Sequence, residues 1–289
     1  MDAQALALES KLGQINDVSE GTRYYVWHYH KFLFGMAIGI STLLSLLIVA
    51  FSCIAFAQDP NFDLRIFFFA IAPYFAVLAL YGHFQSKVHR LFIEELATAL
   101  GFAYAPSVGL DTVTGSFFKV GHSQSISDVM SGTYKNLPAR IFSYEYTVGY
   151  GKSSHTYDGT VFEIDYGKQL PHVIMNSVYP SGLSGMRGES FSMPYSDMEP
   201  VELEGDFNKF FLLYVEKGKQ MEIREIFEPD VMETTMKTMP FFSMEITGSR
   251  VYLFQFGQFS NRKGFMDLVA AVDHFYDELL PEFATVSKS

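Results

Sequence analysis

Residues Phe32 to Phe84 read FLFGMAIGISTLLSLLIVAFSCIAFA, then QDPNFDLR, then IFFFAIAPYFAVLALYGHF. No charged side chain occurs from Phe32 to Gln58, and none from Ile66 to Phe84. A bilayer core about 30 Å thick is crossed by roughly 20 apolar residues in a helix, and both runs reach that length or come close. The break between them is short and polar. The pattern predicts a transmembrane helical hairpin over residues 32–84, preceded by a polar tail over residues 1–31.

The flanks orient it. Arg23 and Lys31 precede the first run, Lys87 and Arg90 follow the second, and the loop from Gln58 to Arg65 carries Asp59, Asp63 and Arg65. Positive residues stay inside, so both termini are expected in the cytoplasm. Tyr24, Tyr25, Trp27 and Tyr29 crowd the approach to the first run, as rings do at headgroup level. His28 and His30 among them have metal-ligand spacing but no third ligand nearby, which favours an interfacial reading. Ala55-Phe56-Ala57 resembles a signal cleavage site, yet the apolar run is much longer than a signal core and lies behind a long tail. It reads as a retained helix.

Within the hairpin, Gly35 and Gly39 form a GxxxG spacing, followed at the same interval by Ser41 and Ser45. Small residues let helices approach closely in lipid, and Ala72 and Ala76 offer a small face on the second run. Packing of the two helices against each other is the expectation there, with a homo-oligomer through Gly35 and Gly39 as the sharper reading of that common spacing. Pro73 is expected to kink the second span. Cys53, the single cysteine, lies inside the first run and reads as a small helix residue. Its solitude excludes an internal disulfide and fits a reducing compartment.

Beyond the hairpin the composition is that of a soluble domain. The formal net charge of −11 lies mostly after Phe84. An acidic surface repels phosphate backbones, so nucleic acid is an improbable partner. Residues 85–101 read as a helical stalk ended by Gly101, and residues 102–289 as a cytoplasmic α+β domain. Strands are expected over residues 129–135, 139–148, 160–166, 172–178, 201–204 and 209–216. Short helices follow over 220–227 and 229–239, then a hairpin about Gly248-Ser249 and a last helix from Arg262 to Leu280, stopped by Pro281. An antiparallel sheet closed by a C-terminal helix suggests a pleckstrin-like roll. Pro180 to Pro200, rich in Gly and Ser, reads as a flexible loop.

Candidate chemistry is sparse. Gly149-Tyr150-Gly151-Lys152-Ser153 ends like a P-loop, but Tyr146 stands where its first glycine is needed and the stretch joins two strands. Gly182-Leu183-Ser184-Gly185 lacks the last glycine of a nucleophile elbow, having Met186 there. His122, His155, His172 and His274 have no metal spacing. Glu202, Glu204 and Asp206 would share one face of a strand, where carboxylates can do acid–base work or form a solvated edge. The methionines from Met221 to Met244 suit core packing. No catalytic, cofactor or metal residue is assigned.

Leu203-Glu204-Gly205-Asp206-Phe207-Asn208-Lys209-Phe210-Phe211, then Phe227-Glu228-Pro229-Asp230-Val231-Met232, carry a family likeness. With the two-run start and Gly132-Thr133-Tyr134 … Arg140-Ile141-Phe142-Ser143-Tyr144, the chain resembles the bacterial family catalogued as domain of unknown function 3137. The resemblance covers most of residues 30–280. It implies a bacterial inner-membrane protein and carries over no catalytic residue. Gly205, Asp206, Phe207 and Asn208 become candidate interaction residues. The expected function is a non-enzymatic, membrane-anchored interaction or scaffold protein with an unidentified protein partner. The alternatives are an enzyme acting on a membrane-proximal substrate, using His172 or the Glu202/Glu204/Asp206 face, or an accessory subunit of a membrane complex. Two spans without an intramembrane acid or base argue against a pore.

Overall fold

A computed structural model of the chain describes residues 17–18, 22–23, 26–27, 30–58, 65, 69–178, 197–258 and 261–286. Most of the polar tail, His28 included, the polar break after Gln58 (Arg65 aside) and most of the Gly/Ser loop lie outside those residues. The chain forms two units, Gln14–Phe92 and one containing Ile93–Ser289.

In the first unit, α1 (Lys31–Gln58) is the one helix among the described residues long and apolar enough to cross a membrane, with a mean hydropathy of 2.4. Its burial is inverted. Ser41 and Ser52 are buried, while Leu43, Leu46, Leu47, Phe51 and Ile54 are exposed. A helix in water hides its leucines; one in lipid can show them and turn small polar residues inward.

The inward stripe meets the start of α2 (Ala72–Leu100). His30 stacks on Phe84 with ring centroids 4.6 Å apart, and Phe34 meets Tyr81 edge-on. The hydroxyl of Ser41 donates to the carbonyl of Pro73 at 3.1 Å, and that of Ser45 to the carbonyl of Ala70 at 2.6 Å. As residue numbers rise along α1 they fall along α2, so the helices run antiparallel. Pro73 does not kink a span: it sits in the first turn of α2, where its missing N–H costs no ladder bond.

Among the described residues no second helix is long and apolar enough to cross a membrane. The second apolar run contributes only Ala72 to Phe84 to α2, which then carries Lys87, Arg90, Glu94 and Glu95. The expected stalk is the end of this same helix, and in the second unit Ile93, Leu96 and Ala97 are buried. Gly101, at φ +74°, ends it: Phe102 N–H returns to the Ala97 carbonyl at 2.8 Å, closing a Schellman turn.

The second unit is α+β. Among its described residues nine strands form one antiparallel sheet in the order β1-β2-β3-β4-β9-β8-β5-β7-β6. They are β1 (Ala103–Val108), β2 (His122–Tyr134), β3 (Leu137–Val148), β4 (His155–Asp165), β5 (Val173–Ser177), β6 (Met198–Val201), β7 (Phe211–Glu216), β8 (Phe242–Thr247) and β9 (Arg250–Phe256). β1 was not expected, since Pro106 and two alanines make it read as a loop. β2 and β4 begin earlier than expected, at His122 and His155. The GKS stretch is the connection between β3 and β4.

Helices α3 (Phe207–Phe210), α4 (Gln220–Ile226), α5 (Pro229–Thr238), α6 (Arg262–His274) and α7 (Leu280–Val286) complete the unit. Pro229 opens α5 at its first turn. Pro281 does not stop the last helix. A π-helical turn over Phe275–Leu279 precedes it, and Leu280 N–H bonds the Phe275 carbonyl; Pro281 thus follows a π-helical irregularity rather than standing inside a regular α-helix.

Strands β4, β5, β8 and β9 are buried along most of their length. Both sheet faces are covered there. One face holds an aromatic cluster that includes Phe117, Phe118, Phe142, Tyr144, Tyr252 and Phe254. The C-terminal helix is tied to the β2–β3 turn by Lys135, whose ammonium contacts Asp273 at 2.8 Å and Asp277 at 2.9 Å. Burial alone would lower the Lys135 pKa, but the two carboxylates outweigh it and the net shift is upward.

Candidate functional site

The family-like stretch begins where β6 ends at Val201. Residues 202–206 form a turn rather than a strand, so Glu202, Glu204 and Asp206 share no sheet face. The reason is local. Gly205 takes φ +69°, a conformation glycine adopts without steric cost, and Asn208 clamps the turn from both sides. Its Oδ1 accepts from Leu203 N–H at 3.1 Å, and its Nδ2 donates to the Leu203 carbonyl at 2.5 Å.

Phe207 is fully buried against Phe211 and Phe227, with centroids 4.9 and 5.3 Å away. Asp206 is exposed and pairs with Lys209 at 2.6 Å. Of the four candidate interaction residues, Gly205, Asp206 and Asn208 face outward and Phe207 does not. Asn208 borders a cleft of about 340 Å³ between the turn and β7, with Pro200, Glu202, Leu212 and Tyr214.

Gly35 and Gly39 are exposed on α1, and a Cβ at either would meet nothing within 4 Å. Ala72 and Ala76 are exposed on α2. Packing inside the unit uses Ser41, Ser45 and the ring pairs instead.

The denser chemistry lies elsewhere. In register across the sheet, Arg140 of β3 faces Glu163 of β4, Glu163 faces Tyr252 of β9, and Tyr252 faces Glu245 of β8. Four polar side chains thus form a row on the aromatic face. Arg140 Nε donates to Glu163 at 2.7 Å, and Arg250 reaches the same carboxylate at 3.4 Å. Burial still pushes the Glu163 carboxyl above its usual range, against the pull of Arg140 and Arg250.

Residues 109–121 lie over this row. The Thr112 carbonyl accepts from Arg140 at 2.9 Å and Arg250 at 2.6 Å. Thr114 N–H donates to the Tyr252 hydroxyl at 3.0 Å. Ser116 and Phe117 N–H groups donate to the two carboxylate oxygens of Glu245 at 2.7 and 2.9 Å. Glu245 is completely buried, and His172 Nε2 stands 3.3 Å from it, its ring one-third exposed.

Of the histidines considered from sequence, His172 therefore joins this row. His274 is buried against the Thr235 hydroxyl at 2.9 Å, and its pKa is lowered by that burial despite Asp277 and Glu278. His122 stacks on Tyr150, and His155 is exposed at the start of β4. No group of three metal-ligating side chains occurs among the described residues. What the row does chemically is hold main chain: the Glu245 carboxylate bonds amides of the overlying segment, and Arg140 and Arg250, both paired with Glu163, bond its Thr112 carbonyl. Sequence reasoning passed over Glu163 and Glu245. The available signal was a lone acid inside an otherwise apolar strand, in TVFEID and FSMEIT.

No protein-family model matches the chain, and no curated protein matches it. Among solved structures it is similar to the crystal structure of the mycobacterial trehalose monomycolate transport factor A, TtfA, at 14% identity and a TM-score of 0.48. The match covers 65% of this chain and 92% of that one. A likeness of that strength carries no argument about function.

Proposed function

We propose that the chain is a membrane-anchored interaction protein, with both apolar runs in the bilayer and the domain from residue 102 onward binding a partner protein at the cytoplasmic surface. The observation that carries this reading is the inverted burial of α1, with serines inward and leucines outward, joined to its antiparallel contacts with the start of α2. Hydroxyl-to-carbonyl bonds such as Ser45 to Ala70 are a means of holding helices together where lipid supplies no hydrophobic drive. Anchoring confines the domain to two dimensions and raises its effective concentration for partners there.

The finer parts rest on sequence. The flanking charges put both termini in the cytoplasm. The likeness to domain of unknown function 3137, carried by Leu203–Phe211 and Phe227–Met232, suggests a bacterial inner membrane. Gly35 and Gly39 are the proposed contact for a second copy. A pleckstrin-like roll is the finer form proposed for the sheet, supported by a C-terminal helix that buries Phe265, Leu268, Val269 and Val272.

The test is crosslinking in native membranes with a tag at Ser289, followed by alkaline extraction and identification of copurifying proteins. Retention in the extracted membrane with a reproducible protein partner is expected. A chain released by alkali would overturn the anchor, and a lone metal-loaded protein would favour an enzyme over an adaptor.

A further inference from the structure

The β1–β2 ladder reaches Val108 opposite Ile126, a point from which a short hairpin turn would suffice. Instead the chain leaves the edge of the sheet, passes over β3, β4 and β9 to reach Glu245 on β8, and returns to begin β2 at His122. Over this excursion most hydrogen bonds to the sheet are side chain to main chain, with the Thr114 hydroxyl also 3.3 Å from that of Tyr252. Arg140, Arg250, Tyr252 and Glu245 hold the outward part through Thr112, Thr114, Ser116 and Phe117. Gln124 holds the return through the carbonyls of Phe118 and Val120, at 3.2 and 3.0 Å.

We propose that residues 109–121 are a detachable strap with Glu245 as its latch, opening as one unit while the nine-stranded ladder stays paired. Three features converge on this. No ladder bond breaks when the segment lifts, and the freed residues regain chain entropy. Two successive amides depend on one buried carboxylate, so a single side chain governs the polar attachment at the far end, beside the buried rings of Phe117 and Phe118. Gly115 makes the approach possible: it sits at φ +133°, and a Cβ there would lie 2.9 Å from Glu245 Oε2. His172 Nε2 also lies 3.3 Å from Glu245 Oε1, the oxygen that accepts from Ser116 N–H. Opening withdraws Phe117 and Phe118 and bares an aromatic bed of Phe142, Tyr144, Tyr252 and Phe254. The proposal concerns the sheet alone and is independent of the membrane reading.

The experiment is amide hydrogen exchange on the full chain in lipid nanodiscs, comparing wild type, Glu245→Gln and Tyr252→Phe. In wild type, the Ser116 and Phe117 amides should exchange at least about tenfold faster than those of Leu253 and Phe254 in β9, as expected of a unit that opens below the global limit. Glu245→Gln replaces a charged acceptor by a neutral one and should speed strap exchange a further tenfold to a hundredfold, roughly, leaving β9 unchanged. Tyr252→Phe, which removes only the hydroxyl bonded to Thr114, should give a smaller increase confined to the strap. Equal strap and β9 rates in wild type would overturn the proposal. So would a latch variant that speeds both segments alike or neither. If Glu245→Gln fails to fold, the wild-type rates and Tyr252→Phe decide.

Discussion

The hydroxyl of Ser45 lies 2.6 Å from the carbonyl oxygen of Ala70 and also 2.8 Å from that of its own helix neighbour Ser41. One hydroxyl proton is thus shared between α1 and the entry to α2. Ala70 lies just before α2 begins at Ala72, and Tyr74 N–H bonds the Ile71 carbonyl, so the Ser45 side chain supplies the Ala70 carbonyl with a donor. In lipid, where water cannot substitute, an unbonded carbonyl is costly.

Ser45→Ala should therefore loosen the helical pair. Interhelical hydrogen bonds of this kind are worth about 0.6 kcal/mol on average and up to about 1.7 kcal/mol. Ser45→Ala combined with Ser41→Ala is expected to lower the stability of the monomeric helical pair toward detergent unfolding by about 1 kcal/mol, while Gly35→Ala, whose Cβ would meet nothing within the chain, should not lower the stability of the monomer. Denaturation followed in mixed micelles measures both.

In the family-like stretch the structure separates an internal anchor from its surface neighbour. Phe207→Ala removes a ring packed on Phe211 and Phe227 and should cost about 3–5 kcal/mol in urea unfolding of the domain. Asp206→Ala breaks an exposed pair with Lys209 and should change stability by less than about 0.5 kcal/mol. The contrast distinguishes a structural motif from a contact surface.

Lys135 ties the β2–β3 turn to the last helix through Asp273 and Asp277, and its ammonium lies 4.9 Å from the centroid of the Tyr276 ring. Its side chain is nearly buried, so Lys135→Met should cost about 2 kcal/mol, between the values for exposed and buried pairs. A double-mutant cycle with Asp273→Asn should return a coupling energy of the same sign.

His274 makes stability pH-dependent. Its folded pKa lies below the ordinary value because burial disfavours the cation, even with Asp277 and Glu278 nearby. Above the unfolded pKa, about 6.5, both states are neutral and nothing is lost. As the pH falls through that value the unfolded chain takes up a proton the folded chain resists, so stability declines toward the folded pKa. Urea midpoints at pH 7.5 and 5.5 should differ in that direction, and His274→Gln should reduce the difference.

Much of this architecture is legible in the residues. The run from Phe32 to Ala57 announces α1 by composition alone, and Gly248-Ser249 between two apolar stretches announces the β8–β9 hairpin to within a residue. β1 was hidden by Pro106, which is tolerable on an edge strand but reads as a breaker. The turn at Leu203–Asp206 was visible as a motif and misread as a strand, because alternating acids imitate a solvated face. The strap was invisible for a different reason. Thr112 and Arg250, or Phe117 and Glu245, lie more than a hundred positions apart, and bonds from side chain to main chain leave no periodicity to find.

Thiol accessibility tests the proposed membrane hairpin most directly. In a Cys53→Ser background, single cysteines would be placed at Asn61 in the polar break and at Ser289. Each would then be exposed in intact cells to a reagent that cannot cross the membrane. The account predicts that Asn61→Cys is labelled from outside and Ser289→Cys only after lysis. Labelling of Ser289→Cys in intact cells would contradict it, as would an Asn61→Cys that reacts only once the membrane is opened.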